Sequence, residues 1–332
     1  FTPDGEMDQQ GLEQLIDFQI SNGITGILAT GTTGESPTLK WNEHEHVIKQ
    51  VAELAKDKCL RIAGTGSNNT AEALEALAHA AEDGVDAVLM VDPYYNGPSS
   101  LEIRREYYEV AANEFPGMNI IPYIIPGRTG AQMLPQDLAI LSKNFDNITC
   151  VKEATGNLDN MRLTRKLCGN EFNILSGDDA LVYDIMTADD IRACGAISVM
   201  SNIVPKAITD MVDLINQEKR QEAKKLQDAL APLFSLVVVT TTEESGFGAV
   251  LCRARNPLPV KTIMALLGMP SGPCRRPLGK MTPAGFAVIL DTLKQVQENT
   301  PEILAPIAEF FQVDIDERLN DSTIHESLQY AY

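Results

Sequence analysis

Short apolar runs that alternate with helical patterns constrain the fold of this chain more than any other feature. Pieces between the runs, such as "TAEALEALAHAAEDG" (70–84), carry apolar residues every three or four positions, as helices with one buried face do. Strand and helix in alternation are typical of a parallel α/β sheet, because parallel strands need a long crossover connection. The runs are "ITGILAT" (24–30), "LRIAGTG" (60–66), "DAVLMVD" (86–92), "NIIPYIIP" (119–126), "ITCVKEA" (148–154), "FNILSG" (172–177) and "GAISVMS" (195–201).

The number of runs indicates how the sheet is closed. Seven runs are visible, and the opening "FTPDGEMD" looks like the end of an eighth strand whose beginning is missing. Eight strand–helix units over roughly 200 residues predict an α/β fold of the (β/α)8 TIM-barrel type. The glycine-rich pieces "GTTGES" (31–36) and "GTGSNN" (64–69) fit neither the dinucleotide fingerprint nor the phosphate loop, which disfavours a nucleotide-binding sheet. We expect the barrel over residues 1–204.

The strand pattern stops after about residue 204. Residues 203–237, 257–269 and 282–298 have helical patterns, with Pro257 and Pro259 as breaks and Thr282 as a candidate N-cap. This predicts a C-terminal helical domain over residues 205–332. We expect the acidic stretch from about residue 310 onward to be either a mobile tail or a packing arm.

Composition excludes several classes of partner. The formal net charge of −19 argues against nucleic acids and anionic membrane surfaces, which bind basic patches. The longest apolar stretch, "LAPLFSLVVV" (230–239), is about half of a membrane span and contains Pro232. Six cysteines without CxxC spacing predict reduced thiols and a cytoplasmic protein. His44 and His46 are two residues apart and share no helical face, so no metal site is expected.

Lys152 raises the sharpest question, because it ends the apolar run "ITCV". A lysine is rarely buried unless another group pairs with it or the protein uses it, since desolvation of an ammonium is costly. Its side chain could reach solvent or pair with Glu153. Alternatively, its amine is kept neutral so that it attacks a carbonyl and forms a Schiff base.

Further reactive residues lie within or directly after the predicted strands, toward the ends at which barrel enzymes carry their chemistry. Each could serve a turn, the core or the surface, but their gathering at one rim favours carbonyl condensation on a small keto acid. Together they offer hydroxyls for proton transfer, a glycine backbone that a ligand can approach and an arginine suited to a carboxylate. The set is Thr32, Thr33, Tyr94, Tyr95, Tyr123, Arg128, Gly177, Asp178 and Asp179.

These motifs resemble a known family. From about residue 2 to residue 295 the chain is similar to the dihydrodipicolinate synthase (4-hydroxy-tetrahydrodipicolinate synthase) family. That family is part of the pyruvate-dependent class I aldolases, which also contain N-acetylneuraminate lyase. The resemblance rests on "GTTGESPTL" (31–39), "AGTGSNNTAEA" (63–73), "PYYNGPS" (93–99), "PYIIPGRTG" (122–130), "VKEATGNL" (151–158), "LSGDDA" (175–180), "GAISV" (195–199) and "NPLPVK" (256–261).

The resemblance implies a TIM barrel with a C-terminal helical domain, assembled as a homotetramer of tight dimers or as a homodimer. It implies that pyruvate condenses with L-aspartate 4-semialdehyde in the diaminopimelate route of lysine biosynthesis. The pyruvate would be held as a covalent Schiff base on a lysine, so the resemblance implies neither a metal nor an organic cofactor.

The resemblance also implies the catalytic residues. Lys152 would form the Schiff base, and Tyr123 would lie over it and relay protons. Thr32 would join Tyr123 in a proton relay with Tyr95, which in the family crosses from the neighbouring subunit.

Substrate binding is implied by the same motifs. The backbone amides of Thr32 and Thr33 would hold the pyruvate carboxylate, as aligned amides can. Arg128 would bind the carboxylate of the aldehyde, and Gly177 and Ile197 would line the pocket.

The family binds lysine at the tight-dimer interface as feedback, and the matching motifs imply such a site here. Trp41 stands where many bacterial members carry histidine. An ordinary polar interface is the alternative interpretation. The implied residues are Ser36, Trp41, His44, Asn68, Glu72 and Tyr94.

Departures from the family leave other functions open. Ile124 stands where the family usually has asparagine, which predicts a changed pocket polarity. A sister aldolase or dehydratase acting on a sugar acid is the main alternative, although such enzymes generally lack the "GRTG" motif that contains Arg128. A catalytically idle metabolite-binding relative is the alternative from another class.

Overall fold

The computed structural model describes residues 1–331, and the chain forms two compact units. The sheet unit consists of Thr25–Gly31 and Lys40–Ser198. The helical unit consists of Phe1–Ile24, Thr32–Leu39 and the residues from Val199 onward.

The sheet unit is built on one parallel sheet. Within residues 25–198, seven strands lie side by side in the order in which they follow one another along the chain. Each predicted apolar run contains one of them, so the strand prediction is confirmed. The strands are Gly26–Ala29 (β1), Leu60–Gly64 (β2), Ala87–Val91 (β3), Asn119–Ile124 (β4), Cys150–Glu153 (β5), Asn173–Ser176 (β6) and Gly195–Ala196 (β7).

Helices connect the strands and form most of the helical unit. None of the helices within residues 1–331 combines the length and the apolar character that crossing a membrane requires. Between α4 and α5 the chain runs through a π-helical segment, Arg104–Tyr108. The α-helices are Gln9–Ser21 (α1), Trp41–Leu54 (α2), Thr70–Glu82 (α3), Ser100–Ile103 (α4), Glu109–Glu114 (α5), Pro126–Thr129 (α6), Pro135–Asn144 (α7), Leu158–Cys168 (α8), Val182–Thr187 (α9), Pro205–Asn216 (α10), Arg220–Ser235 (α11), Leu258–Leu266 (α12), Pro283–Asn299 (α13), Ala305–Phe311 (α14), Ile315–Asn320 (α15) and Ser322–Leu328 (α16).

Asparagine caps determine where two of the crossover helices begin. The Asn69 side chain accepts a hydrogen bond from the Ala71 N–H at the start of α3, and Asn157 accepts one from the Asp159 N–H at the start of α8. Each cap pairs a backbone donor that has no partner inside the helix, which stabilises the helix by about 1 kcal/mol. The chain therefore turns from strand to helix within a few residues, and the loops after β2 and β5 stay short.

One face of the sheet carries an apolar cluster centred on Leu89, Ile121 and Tyr123. Successive side chains of a strand point to opposite faces, so Cys150 and Lys152 of β5 share one face. Cys150 packs against the cluster, as do Leu28, Ile62, Ala87, Val91, Ile125, Ala154 and Ile197. Lys152 is therefore placed at the end of a strand, on the apolar inner face.

The helical unit contains strands that the sequence analysis did not predict. Val238–Ser245 (β8) and Gly248–Arg255 (β9) pair antiparallel as a hairpin. The expectation that strands stop near residue 204 is wrong here. The run "VVTTT" (238–242) is β-branched and favours a strand. It follows the apolar C-terminal end of α11, however, and its first two residues belong to the apolar stretch 230–239.

Near the end of the described chain, α15 packs against the rest of the helical unit. Ile315 and Leu319 are buried, and the Arg318 guanidinium donates hydrogen bonds to the carbonyl oxygens of Leu266 and Ala265, both at 2.7 Å. Of the two expectations for this segment, the packing arm is confirmed over α15.

The first eight residues form a turn, in which the Gly5 N–H donates to the Thr2 carbonyl oxygen at 2.9 Å. No strand is described between residues 1 and 8. The expectation that these residues form the end of an eighth strand is therefore wrong, because they fold back in this turn instead.

Candidate active site

Lys152 lies on β5 directly beside Tyr123 of β4, its partner in the strand register. Its Nζ atom is 4.3 Å from the centroid of the Tyr123 ring. Both side chains are buried, with Lys152 only 7% exposed. Of the two interpretations of Lys152, the solvent-reaching side chain is wrong, because the strand register turns the side chain toward the apolar inner face.

Burial changes the acidity of this amine. Desolvation lowers the pKa of Lys152 to about 8, the Asp179 carboxylate opposes that effect, and the Arg128 guanidinium adds to it. An ordinary lysine has a pKa near 10.4 and is almost wholly protonated at neutral pH. At Lys152 about one tenth of the amine is neutral and nucleophilic at pH 7, which is more than a hundredfold above the neutral fraction of an ordinary lysine.

Gly177, directly after β6, makes room for the lysine. A Cβ atom at this position would lie 3.1 Å from Lys152 Cε and 2.6 Å from Ala154 Cβ, both too close for an unstrained contact. Any side chain larger than hydrogen would therefore displace the lysine stem or the adjacent strand. The glycine is required by the close packing of β5 and β6 at their ends.

The remaining predicted residues of the sheet unit surround this pair. Ile197, just after β7, packs on the Leu89, Ile121 and Tyr123 cluster. Arg128 is on α6, the short helix that directly follows β4, and its side chain is exposed. The structure thus brings together Lys152, Tyr123, Arg128, Gly177 and Ile197.

Tyr95 is not part of that buried group. Its side chain is 90% exposed, and its backbone has the left-handed φ of 75°. The Tyr95 N–H donates to the Thr129 carbonyl oxygen at 3.4 Å, which links its loop to α6. An aromatic side chain is thereby held out in solvent at some conformational cost.

Thr32 and Thr33 belong to the helical unit. They open a turn in which the Glu35 N–H donates to the Thr32 carbonyl oxygen at 3.1 Å. The Thr33 hydroxyl accepts a hydrogen bond from the Asn256 amide at 2.9 Å. Both threonines are half-buried.

Most residues implied for lysine binding lie in the sheet unit. Trp41 and His44 are one turn apart on α2, with ring centroids 5.4 Å apart. His44 is buried, and desolvation lowers its pKa, so the imidazole is neutral at pH 7. Glu72 on α3 accepts a hydrogen bond from the Ser67 hydroxyl at 2.7 Å. Of the others, Asn68 and Tyr94 are exposed loop residues of the same unit, and Ser36 belongs to the helical unit.

A buried acid behind the site was missed by the sequence analysis. Asp92 directly follows β3 and is fully buried, which raises its pKa to about 7. It accepts a hydrogen bond from the Met133 N–H at 2.9 Å and lies 3.0 Å from the Tyr108 hydroxyl. The signal was present, since an aspartate ending the apolar run "AVLMV" resembles the position of Lys152.

Ile124 lies on the other face of β4. Adjacent strand residues point to opposite faces, so Ile124 points away from the face that carries Tyr123. Its register partner on β5 is the buried Glu153. The expectation that Ile124 changes the polarity of the pocket is therefore wrong.

The described residues contain no cluster of side chains suited to a metal ion. Among residues 1–331, no group of three or more histidine, cysteine, aspartate and glutamate side chains is arranged to hold a metal ion.

Comparison with known proteins gives a consistent match. The sequence profile of the dihydrodipicolinate synthetase family matches residues 1–296. The 4-hydroxy-tetrahydrodipicolinate synthase of Methanococcus maripaludis (strain C7) is 38% identical over 293 residues, which cover 88% of this chain and 94% of that protein.

Two solved structures share both the fold and part of the sequence. The dihydrodipicolinate synthase of Cyanidioschyzon merolae, solved with lysine bound, is 32% identical with a TM-score of 0.80 and covers 89% of this chain and 94% of its own. The chloride-inhibited enzyme of Acinetobacter baumannii, solved with pyruvate, is 32% identical with a TM-score of 0.80 and covers 89% of this chain and 95% of its own. With the parallel sheet, these likenesses confirm the predicted α/β TIM-barrel fold with a C-terminal helical part.

Proposed function

Because the chain belongs to the dihydrodipicolinate synthetase family, we propose that it condenses pyruvate with L-aspartate 4-semialdehyde to 4-hydroxy-tetrahydrodipicolinate in lysine biosynthesis. One observation carries the chemistry. Lys152 is a buried amine with a lowered pKa, and it lies against a buried tyrosine on the inner face of the sheet. That environment is suited to a class I aldolase-type lyase.

The reaction begins at Lys152. Its neutral Nζ attacks the C2 carbonyl of pyruvate to give a carbinolamine, which loses water and leaves an iminium bond between Nζ and C2. Loss of a C3 proton converts the iminium to an enamine. The enamine carbon attacks the aldehyde carbonyl of the second substrate, which forms the new carbon–carbon bond, and the amine of that substrate then displaces Nζ as the ring closes.

Tyr123 is proposed to move protons in these steps, a role supported by the 4.3 Å between its ring centroid and Lys152 Nζ. The carbinolamine must gain a proton on its departing oxygen, and a phenol beside the amine can donate one and recover it later. Thr32 and Tyr95 complete the proposed relay, with Tyr95 supplied by a neighbouring subunit. The extreme exposure of Tyr95 supports that role, because the ring extends away from its own chain.

Two groups are proposed to bind the substrate carboxylates. The Thr32 and Thr33 backbone amides hold the carboxylate of pyruvate, and Arg128 holds that of the aldehyde substrate. A guanidinium matches the planar carboxylate with two parallel hydrogen bonds. The Arg128 charge also favours the neutral form of Lys152, so it serves the nucleophile as well.

The proposal extends to feedback and assembly. The Cyanidioschyzon merolae relative was solved with lysine bound, and the present chain has an acidic Glu72 and a neutral His44 among the implied residues. We propose that lysine is an inhibitor and that the assembly is a homodimer or homotetramer. We further propose that the reaction needs no metal or organic cofactor and takes place in the cytoplasm.

Reductive trapping tests the proposed nucleophile. The protein is incubated with pyruvate and borohydride, digested and analysed by mass spectrometry, with the expectation of a reduced pyruvyl adduct on Lys152. Lys152→Ala should fold normally yet retain less than about 1% of the activity, since the covalent step is lost. Lys206→Ala, which changes an exposed lysine paired with Asp210, is the control and should still be trapped.

Two results would contradict the proposal. A folded protein without an adduct on Lys152 would mean that the chain lacks the lysine chemistry. An adduct without turnover of aspartate semialdehyde, but with turnover of a sugar-derived aldehyde, would move the function to the sister aldolases.

A further inference from the structure

The turn that carries Thr32 and Thr33 contains a residue in a strained conformation. Glu35, the fourth residue of the turn, has the left-handed φ of 56° and precedes the short 3-10 helix Ser36–Thr38. A glutamate pays roughly 1–2 kcal/mol for this conformation, so surrounding contacts must hold it. We call residues Thr32–Glu35 the 32–35 turn.

Lys261 supplies the strongest of those contacts. Its Nζ lies 2.5 Å from Glu35 Oε1 and also donates to the Pro273 carbonyl oxygen at 3.1 Å. The Glu35 side chain is 1% exposed and that of Lys261 is 12% exposed. The other carboxylate oxygen accepts from the Arg275 N–H at 2.9 Å and from the Thr38 hydroxyl at 3.3 Å. The buried charge is thus well compensated, as a stable buried ion pair requires.

Asn256 holds the turn at a second point. It is buried and directly follows β9, and its amide donates to the Thr33 hydroxyl at 2.9 Å. Lys261 lies five residues later, in the first turns of α12. One short segment of the chain therefore contacts the 32–35 turn at both Thr33 and Glu35, across 223 and 226 residues of sequence.

These contacts leave the backbone amides of the turn available. Asn256 engages the Thr33 side chain, and Lys261 engages the Glu35 side chain. Within residues 1–331, the Thr32 and Thr33 N–H groups donate to no other protein group. Backbone amides bind an anion tightly when the protein already holds them in the right direction. No binding free energy is then lost in ordering them.

We propose that Asn256 and Lys261 are positioning residues that fix the 32–35 turn so that its two amides bind the carboxylate of pyruvate. The inference rests on the proposed function, which assigns the carboxylate to these amides. It adds two residues that touch no substrate and act through Thr33 and Glu35. Their effect should therefore fall on pyruvate binding, with little effect on the second substrate.

Steady-state kinetics with both substrates tests this assignment. Asn256→Ala should raise the KM for pyruvate about five- to tenfold, as the loss of one buried hydrogen bond predicts, while kcat and the aldehyde KM change less than about twofold. Thr33→Val should have a similar effect. The double variant should be no worse than either single variant, because both changes remove one shared contact. Additive losses would overturn the claim that Asn256 acts through Thr33.

A charge-neutral pair of substitutions separates positioning from folding. Lys261→Met alone leaves Glu35 buried and unpaired, so the protein is expected to melt at a lower temperature or to fail to fold. The double variant Glu35→Gln/Lys261→Met removes both charges and should fold. If Lys261 positions the turn, this folded double variant keeps a pyruvate KM raised about tenfold, because the turn has lost its anchor. A normal pyruvate KM in the folded double variant would overturn the proposal.

The control is an ion pair away from the turn. Arg61, at the start of β2, makes a two-point contact with Asp86. Arg61→Met should lower thermal stability without changing the pyruvate KM. Borohydride trapping on the wild type distinguishes the two proposals: no adduct overturns the proposed function, whereas an adduct with unchanged pyruvate KM in every variant overturns only the positioning role.

Discussion

At the scale of single residues, the ionisation of Lys152 sets when the site can react. Burial lowers its pKa to about 8, and the nearby Asp179 carboxylate keeps it from falling further. Only the neutral amine attacks pyruvate, so imine formation should increase with pH, with a midpoint near pH 8 and a plateau above about pH 9. Arg128 acts in the same direction as burial, because its positive charge disfavours the protonated amine.

A substitution at Asp179 should move the pH at which imine formation is half-maximal. Asp179→Asn removes the charge that stabilises the ammonium form, so the midpoint of imine formation should shift to lower pH. The measurement is the rate of borohydride-trappable adduct with pyruvate alone between about pH 6 and 9.5. Asp178→Asn is the matched control, since Asp178 is exposed and asparagine caps a helix equally well. A midpoint that moves to higher pH in Asp179→Asn would refute this account of the amine.

At the scale of elements, the ends of β5 and β6 determine where the lysine stem lies. Leu175 is the register partner of Lys152, and Gly177 follows β6 at the point where its missing side chain leaves space for Lys152 Cε. The pairing brings β5 and β6 so close that only glycine fits at position 177 without displacing Lys152 or Ala154. This close approach links a feature of the sheet to the position of the nucleophile.

Gly177→Ala tests that link. Its Cβ would meet Ala154 and Lys152, so the lysine amine should be displaced and imine formation slowed about ten- to hundredfold, while the sheet survives. Gly117→Ala is the control, because a Cβ there meets nothing within 4 Å and the backbone is not left-handed. The two variants are compared by pyruvate trapping and by thermal melting. Equal trapping rates in Gly177→Ala and the wild type would contradict the packing argument.

At the scale of the whole molecule, residues of α2 and α3 suggest that the enzyme is inhibited by lysine. Lysine carries an α-amino group that a carboxylate such as Glu72 can pair with, and Trp41, which is 47% exposed, has an indole ring that can contact a cation. We expect lysine at millimolar concentration to inhibit turnover of both substrates. A rate that does not change over a lysine titration would exclude feedback.

The substitution Glu72→Gln tests whether Glu72 takes part in inhibition by lysine. Loss of a charged hydrogen bond should weaken inhibition roughly ten- to hundredfold. Glu75→Gln changes an exposed carboxylate on the same helix and should leave the lysine response as it is. The measured quantity is the lysine concentration that halves the rate. Equal responses of the two variants would place the lysine site elsewhere.

Much of the fold was predictable because its signals are local. Seven apolar runs with helical stretches between them indicate a parallel sheet, and Thr282 was correctly predicted as the N-cap at which α13 begins. The hairpin Val238–Arg255 was not predicted, since its β-branched residues adjoin the apolar C-terminal end of α11 and a short apolar run can be either helix or strand.

The order of the strands and the positions of Lys152, Tyr123 and Gly177 near strand ends follow from the amino-acid sequence, because residue periodicity reflects backbone geometry. The tertiary structure was needed to show that Lys152 is desolvated, that Ile124 points away from the site and that Asp92 is buried. It alone joined Glu35 to Lys261, which lie 226 residues apart. Burial and ion pairing depend on which distant segments meet in space, and no local pattern records those meetings.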